Sequence, residues 1–227
     1  MYDELAILSA ASHALERLKK GGREVEQTTD FEKLVAEIEA SPKKHVNPEM
    51  NPNASDLTSA NAAYLTVREK GQLIGFCAVR QIIVGEEGLA GFLRRQFRRH
   101  YGAGQDAFEV SGLPPAAREA RGPVAFIGDM YAVPKYRVDI SAFAMLAYAV
   151  AATKWQPETI YNFTKNRDAR RGLAAQYLNL GGYPAAIKWV NRPATRRDDD
   201  WLYIMPRETY MWLFERYAER GGDFSVT

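Results

Sequence analysis

The chain has 227 residues, with 30 lysines and arginines against 28 aspartates and glutamates, so its formal net charge is only +2. Hydrophobic residues make up 46% and charged residues 26%, a composition that is typical of a globular protein and excludes a wholly disordered chain. The near balance of charge argues against a dedicated nucleic-acid-binding protein, because such domains are usually strongly basic.

Targeting signals are not predicted. Residues 1–20 carry three acidic side chains and lack an apolar core, so no secretory signal is expected. The longest apolar run, 140–153, is shorter than the roughly 18 residues that a membrane-spanning helix needs. The single cysteine, Cys77, excludes an internal disulfide and is expected to be a buried small hydrophobe. These features predict a soluble protein of a reducing, cytoplasmic compartment.

Residues 1–60 are predicted to form a helical extension. A stripe of leucines from Leu5 to Leu18 indicates a first helix that ends at Gly21-Gly22. A second helix is expected over 30–40, with Asp30 as its N-cap. The proline- and asparagine-rich stretch that follows is typical of a loop of about twenty residues, and loops of that length tend to be functional or mobile.

The middle of the chain predicts a β-hairpin followed by an insertion. Strands are expected over 62–69 and 73–84, joined by a tight turn at Lys70-Gly71. The insertion, 85–122, begins with a basic amphipathic helix over 89–101. Its polar face is either a solvated surface or a docking site for anionic lipid, nucleic acid or an acidic substrate. This arginine face consists of Arg94, Arg95, Arg98 and Arg99.

The last hundred residues alternate strands with helices. Strands are expected over 124–133, 159–164, 185–190 and 201–205, and helices over 139–154, 169–180 and 208–220. Together with the hairpin, this alternation predicts an α/β fold with a mixed central sheet of about six to seven strands flanked by helices. We expect a single domain over 1–227.

The most informative segment runs from Ile127 to Arg137, with the sequence IGDMYAVPKYR. Here a strand meets a proline, which cannot extend a ladder of hydrogen bonds, and a tyrosine–arginine pair then precedes a helix. The turn directs backbone N–H groups at one place in front of a helix N-terminus. That arrangement suits an anion such as a pyrophosphate.

This segment resembles the central motif of the GCN5-related N-acetyltransferases (GNAT), in which a strand runs into a V-x-P-x-Y-R turn. Residues 62–84 look like the second and third strands of that family. Residues 161–183 are similar to its fifth strand and following helix. The resemblance implies an acyl-CoA N-acyltransferase-like fold. It also implies transfer of an acyl group from acetyl-CoA or another acyl-CoA to an amine acceptor, which is either a small molecule or a protein.

The resemblance further implies roles for individual residues. Asp129 would assist deprotonation of the amine, and Tyr177 would protonate the leaving thiolate. The alternative is that both residues are structural: Asp129 would bind backbone groups in a strand bulge, and Tyr177 would pack on the sheet. The residues expected to bind the cofactor through the strand backbone, the turn or a side chain are Met130, Tyr131, Ala132, Val133, Arg137, Val138, Asp139, Ile140, Ser141, Ala142 and Asn166. The basic cluster over 165–171 either faces the nucleotide or is solvated.

Residues 138–142 depart from the family's glycine-rich turn, and only Ala142 fits the pattern. Asp139 is instead predicted to cap the next helix, where its charge would repel phosphates. Two alternatives therefore stay open: an acyltransferase that uses an acyl-carrier protein docked on the arginine face, and a non-catalytic GNAT-like binding module. The three histidines lack metal-ligand spacing, so no metal site is expected. The oligomeric state is open, a homodimer included.

Overall fold

The computed structural model describes residues 3–101, 108–109, 113–190, 192–193 and 196–223. Its strands are β1 (Glu24–Thr28), β2 (Ala62–Glu69), β3 (Gln72–Val84), β4 (Gly122–Ala132), β5 (Thr159–Thr164), β6 (Gly182–Tyr183) and β7 (Trp201–Pro206). Its helices are α1 (Glu4–Lys19), α2 (Phe31–Ala40), α3 (Gly88–His100), α4 (Pro115–Glu119), α5 (Ile140–Trp155), α6 (Asn166–Arg170), α7 (Leu173–Gln176) and α8 (Arg207–Glu219). Short 3-10 turns occupy Pro48–Met50 and Pro134–Tyr136.

The strands form one seven-stranded sheet in the order β1-β2-β3-β4-β5-β7-β6. The pair β4–β5 is parallel, and the other neighbouring pairs are antiparallel. A parallel pair needs a crossover connection, and α5 supplies it. This architecture confirms the predicted mixed sheet flanked by helices.

Two apolar layers cover the sheet because successive strand residues point to opposite faces. In β2, Ala63 and Leu65 pack with α1, α5 and α8, whereas Ala62 and Tyr64 pack with α2, α3 and α4. Buried residues occur on every side of α5, which packs against β3 and β4 on one side and α1 on the other. Among the described residues, no helix is long and apolar enough to span a membrane.

The local turn and cap signals are confirmed. The β2–β3 hairpin turns at Lys70 and Gly71, whose φ angles of 51° and 77° suit a two-residue turn that matches the strand twist. The Asp30 carboxylate accepts the N–H of Lys33 at 3.2 Å, as an N-cap does. The amphipathic α3 buries Phe92, Leu93 and Phe97, as its pattern predicts.

The prediction of an all-helical extension over 1–60 is wrong in part, because β1 lies within it and pairs with β2 along its whole length. The strand sequence, EVEQT, is mostly polar because β1 is an edge strand with little buried surface. The predicted apolar face of α1 is also wrong, since Leu5 and Leu8 of the leucine stripe are exposed. The buried face of α1 consists of Ile7, Ala10, Ala14 and Leu18.

Two later predictions need correction. The helix expected over 169–180 is broken into α6 and α7 by Gly172, whose φ of +78° is left-handed. The strand expected over 185–190 is absent from the described residues except for one bridge, between Trp189 and Phe108. That the chain is a single domain with an insertion at 85–122 stays a prediction.

Candidate functional site

The central strands separate in the middle of the sheet. β4 pairs with β5 only from Val124–Thr159 to Phe126–Tyr161. Beyond Phe126, β4 continues to Ala132 against β3, while β5 continues against β7. Among the described residues, the backbone of residues 127–132 therefore has no strand partner on its β5 side.

A β-bulge lies in this separated part of β4. The register with β3 shifts between Phe76 and Ala78, so that Asp129 and Met130 both lie opposite Cys77. Asp129 has a φ of +50°, a left-handed conformation that costs a non-glycine residue about 1–2 kcal/mol. Such bulges re-aim a side chain, and here the bulge directs Asp129 into the gap between the strands.

The gap is a cavity of about 810 Å³, within the roughly 300–1,000 Å³ range of small-molecule sites. Residues 126–132 of β4 and 162–164 of β5 form its walls. Both residues predicted to be catalytic, Asp129 and Tyr177, line it. Four of the residues predicted to bind the cofactor also line it: Met130, Tyr131, Ala132 and Ile140.

Both oxygens of Asp129 are already bound by the loop that precedes β2. The ammonium of Lys43 pairs with Oδ1, and the backbone N–H of Asn47 donates to Oδ2 at 2.7 Å. The Asp129 side chain is only 8% exposed. The carboxylate does accept a backbone N–H, as the structural alternative expected. The sequence pattern did not indicate its lysine partner.

Tyr177 follows α7 and is half-buried in the same cavity. Burial, and then the negative charge of Asp168, raise the pKa of the Tyr177 phenol. Within the described residues, no protein group hydrogen-bonds to its hydroxyl, whereas its backbone carbonyl contacts the Tyr148 hydroxyl at 2.9 Å. The backbone is thus held in place while the hydroxyl stays available.

A buried polar network lies behind Tyr177. The Tyr148 hydroxyl contacts the Asn179 side-chain oxygen at 2.8 Å, and Asn162 donates to that oxygen at 2.7 Å. Asn179 also donates to Thr164 at 3.3 Å. These contacts join α5, β5 and the segment after α7 where β4 and β5 separate, and such satisfied networks rigidify a site. No sequence pattern indicated them.

The N-terminus of α5 lies at the other end of the cavity, where Ile140 belongs to the lining. Asp139 is its N-cap, as predicted, and its Oδ1 accepts the N–H of Ala142 at 3.0 Å. Its Oδ2 accepts from both Nε and Nη2 of Arg17 at 2.7 Å. In the described part of the chain, no protein acceptor meets the N–H groups of Ile140 and Ser141. The helix therefore keeps two free donors, and the charge of its cap is compensated.

The other residues predicted to bind a cofactor lie outside the cavity lining. Val138 and Ala142 are buried in the core, and the Ala142 N–H is already bound by Asp139. Arg137 is exposed and left-handed, with a φ of +46°. Asn166 is engaged elsewhere, because it donates to Asp199 at 2.8 Å and accepts from Trp201 at 2.9 Å. The remaining three outside the lining are Val133, Asp139 and Ser141.

Arginine and lysine side chains extend the site. Lys165 and Arg167, from the predicted basic cluster, line the cavity. Arg196 also lines it, and its guanidinium lies 5.5, 5.7 and 5.5 Å from the ring centres of Phe97, Tyr101 and Phe163. Sequence reasoning missed Arg196, since the aromatic residues that enclose it are distant in the chain.

The arginine face of α3 is partly neutralised by acids of this chain. Arg95 pairs with Glu87 at 2.7 Å, and Arg99 pairs with Asp56 at 3.4 Å.

Cys77 is fully buried, as predicted, and burial raises the pKa of its thiol. Among the described residues, no group of three or more histidines, cysteines or acids is arranged to hold a metal ion.

No protein-family model matches the sequence, and no curated protein matches it. The structure is similar to that of NAA60 from Arabidopsis thaliana in complex with acetyl-CoA, at 13% identity over 81% of this chain and 98% of that chain, with a TM-score of 0.47. It is also similar to the spermidine/spermine N-acetyltransferase SpeG from Vibrio cholerae, at 10% identity over 84% and 98% of the two chains, with a TM-score of 0.43. A third is the N-acetyltransferase YlbP from Bacillus subtilis in complex with coenzyme A, at 11% identity over 81% and 96%, with a TM-score of 0.41.

Proposed function

We propose that the protein transfers an acyl group from acyl-CoA to an amine acceptor. The observation that carries this proposal is the separation of β4 from β5 after Phe126 and Tyr161, which opens a cavity beside the bulge at Asp129. An unpaired strand backbone can bind an extended chain that carries amide groups, as it would bind a further strand. The pantetheine arm of CoA is such a chain.

The donors at one end of the cavity suit the phosphates of CoA. The free N–H groups of Ile140 and Ser141 lie at the positive end of the α5 dipole, which favours an anion. Arg137 lies in the turn just before them, and Lys165 and Arg167 add positive charge to the lining. Because Arg17 compensates Asp139, the cap adds little repulsion.

The side chains at the centre of the cavity suit acyl transfer. Asp129 takes a proton from the acceptor amine, whose nitrogen attacks the thioester carbonyl carbon. The N–C bond forms and the C–S bond breaks, and Tyr177 gives its hydroxyl proton to the sulfur. The raised pKa of Tyr177 keeps that proton in place near neutral pH. Asp129 then releases its proton to solvent, and the proton that the nitrogen loses restores Tyr177.

Calorimetry with acetyl-CoA, longer acyl-CoAs and an acylated carrier protein tests the donor. We expect acyl-CoA to bind and CoA thiol to be released when a polyamine, an aminoglycoside or a peptide with a free N-terminus is added. Absence of binding by every CoA thioester would overturn the proposal and favour a non-catalytic module. If the acylated carrier protein binds and no CoA thioester does, the acyl donor is the carrier protein.

The Asp129→Asn variant tests whether Asp129 acts as the general base. Asparagine tolerates the left-handed backbone at this position, so the bulge is retained. We expect acyl-CoA affinity to persist and turnover to fall by at least about 100-fold, as when a general base is lost. The control is Asp56→Asn, which removes an exposed acid outside the cavity lining and should leave both quantities unchanged. Equal turnover of wild type and Asp129→Asn would remove Asp129 from the chemistry.

A further inference from the structure

We propose that Lys43 is an acyl acceptor within this chain, so that the protein acylates its own Lys43 Nζ. The inference rests on the proposed function, because the acyl donor is the acyl-CoA thioester of that reaction. The reacting group is a lysine of the long loop before β2, which the sequence pattern indicated only as functional or mobile.

The Lys43 ammonium is held inside the cavity. Its side chain is only 14% exposed, although lysines are almost never fully buried. It pairs with Oδ1 of Asp129 and lies 4.9 Å from the ring centre of Phe76. A primary amine therefore already contacts the carboxylate that is proposed to receive the acceptor's proton.

The loop is anchored on both sides of Lys43, so the side chain is directed inward. On one side, the N–H of Lys43 donates to Ser41 Oγ at 3.2 Å. On the other, Val46 is buried in the core and the N–H of Asn47 donates to the second oxygen of Asp129 at 2.7 Å. Between them, Lys44 has a left-handed φ of +61° and is exposed. Of two adjacent lysines, the fold thus directs one into the cavity and the other to the surface.

The step balances with the groups present. Lys43 Nζ gives one proton to Asp129 Oδ1 and attacks the carbonyl carbon of the acyl thioester. The N–C bond forms, the C–S bond breaks, and the sulfur takes the proton of the Tyr177 hydroxyl. The second proton lost by the nitrogen restores Tyr177, and Asp129 releases its proton to solvent. The products are a neutral amide at Lys43 and CoA thiol.

Acylation would also loosen the loop. An amide at Lys43 carries no charge, so Asp129 would lose its ion pair with Lys43, although the N–H of Asn47 would still donate to Oδ2. We therefore expect residues 41–50 to exchange their backbone hydrogens faster after acylation. An acyl group on the exposed Lys44 would leave the contacts of Asp129 intact.

The test incubates the whole protein with acetyl-CoA and follows it by intact mass and peptide mapping. We expect one acetyl group on Lys43, added at least about 10-fold faster than on Lys44, because the Lys43 amine is pre-positioned. The rate per molecule should not depend on protein concentration. Lys43→Arg should abolish the modification, and the matched control Lys44→Arg should retain it.

Calorimetry on the same sample separates the two proposals. If acetyl-CoA binds and acetylates a free amine while Lys43 stays unmodified, the inference about Lys43 is overturned and the proposed function stands. If acetyl-CoA does not bind, the proposed function fails and the inference fails with it. A rate that grows with protein concentration, or equal modification of Lys43 and Lys44, would overturn the intramolecular step. Mapping Lys43 in the wild-type chain keeps the test valid if Lys43→Arg folds poorly.

Discussion

Arg17 of α1 donates its Nε–H to Asp139 Oδ2 at 2.7 Å, across 122 residues of sequence. The same guanidinium donates through Nη1 to the carbonyl of Gly222, just after α8, at 2.7 Å. One arginine therefore joins α1, α8 and the N-terminus of α5. It also places a positive charge beside the cap where the proposed pyrophosphate would bind.

Removing either partner of the Arg17–Asp139 pair should change the CoA affinity, and the two changes should be in opposite directions. Asp139→Asn keeps a cap acceptor but leaves Arg17 uncompensated, so it should tighten CoA binding by about two- to five-fold, or roughly 0.3–1 kcal/mol. Arg17→Gln leaves the Asp139 charge uncompensated and should weaken binding by a similar factor. Calorimetry at low salt measures both affinities. A change in the same direction for the two variants would show that their charges do not act on the ligand.

Tyr177→Phe should lower kcat by at least about 100-fold, because the hydroxyl acts only as the thiolate leaves. The acyl-CoA affinity and the free energy of unfolding should stay close to those of the wild type, since no described protein group binds this hydroxyl. Steady-state kinetics and calorimetry give the two quantities. A normal kcat would assign Tyr177 a packing role only.

Tyr148→Phe is the structural counterpart of that variant. The Tyr148 hydroxyl contacts the carbonyl of Tyr177, which is partly buried, and the side-chain oxygen of Asn179, which is buried. Its loss removes the partner of the Tyr177 carbonyl, whereas the Asn179 oxygen keeps the Asn162 donor. The free energy of unfolding should therefore fall by about 1–3 kcal/mol, the cost of one unpaired polar group. Denaturant unfolding measures this change. An unchanged unfolding midpoint would mean that the network adds nothing to stability.

Arg137→Asn tests the turn before α5. Asparagine tolerates the left-handed backbone of this position, so the fold should be retained. If Arg137 meets a phosphate, CoA affinity should fall by about 10-fold, as when one charge-assisted hydrogen bond is lost. Lys135→Gln, an exposed change in the same turn, is the control. Equal affinities for wild type and Arg137→Asn would remove Arg137 from the binding site.

His100 should make the protein less stable in acid. Burial, followed by the positive charges of Arg99, Arg80 and Arg196, lowers the pKa of His100, although a hydrogen bond to the Ala54 carbonyl opposes the shift. A lowered pKa means that the unfolded chain binds the proton more readily. The contribution of His100 is therefore fully present above its ordinary pKa of about 6.5 and is lost as the pH falls through its lowered value.

Thermal unfolding from pH 8 to pH 5 measures this effect. His100→Gln removes the titrating group and keeps a donor for Ala54, so its unfolding midpoint should fall less than that of the wild type over the same range. Parallel curves for the two proteins would show that His100 does not account for the acid sensitivity.

The sequence alone predicted the features that depend on residues close together in the chain. The turn at Lys70-Gly71, the caps Asp30 and Asp139, and the amphipathic α3 each follow from a few neighbouring residues, because backbone conformation and first-turn hydrogen bonds are local. The resemblance of residues 127–137 to the central GNAT motif indicated the strand that carries Asp129. It could not show how the charge of Asp139 is balanced.

Tertiary structure decided which distant groups meet. Lys43 and Asp129 are 86 residues apart, and the polar strand β1 joins the sheet without any apolar alternation of its own. The aromatic enclosure of Arg196 likewise depends on Phe97 of α3 meeting Phe163 of β5, whose ring centres are 5.9 Å apart. Ion pairs and buried amide contacts give no periodic signal in a sequence, since their partners are set by the packing of whole elements. The sequence therefore determined the local turns, the caps and the motif strand, and the packing of whole elements determined what contacts Asp129.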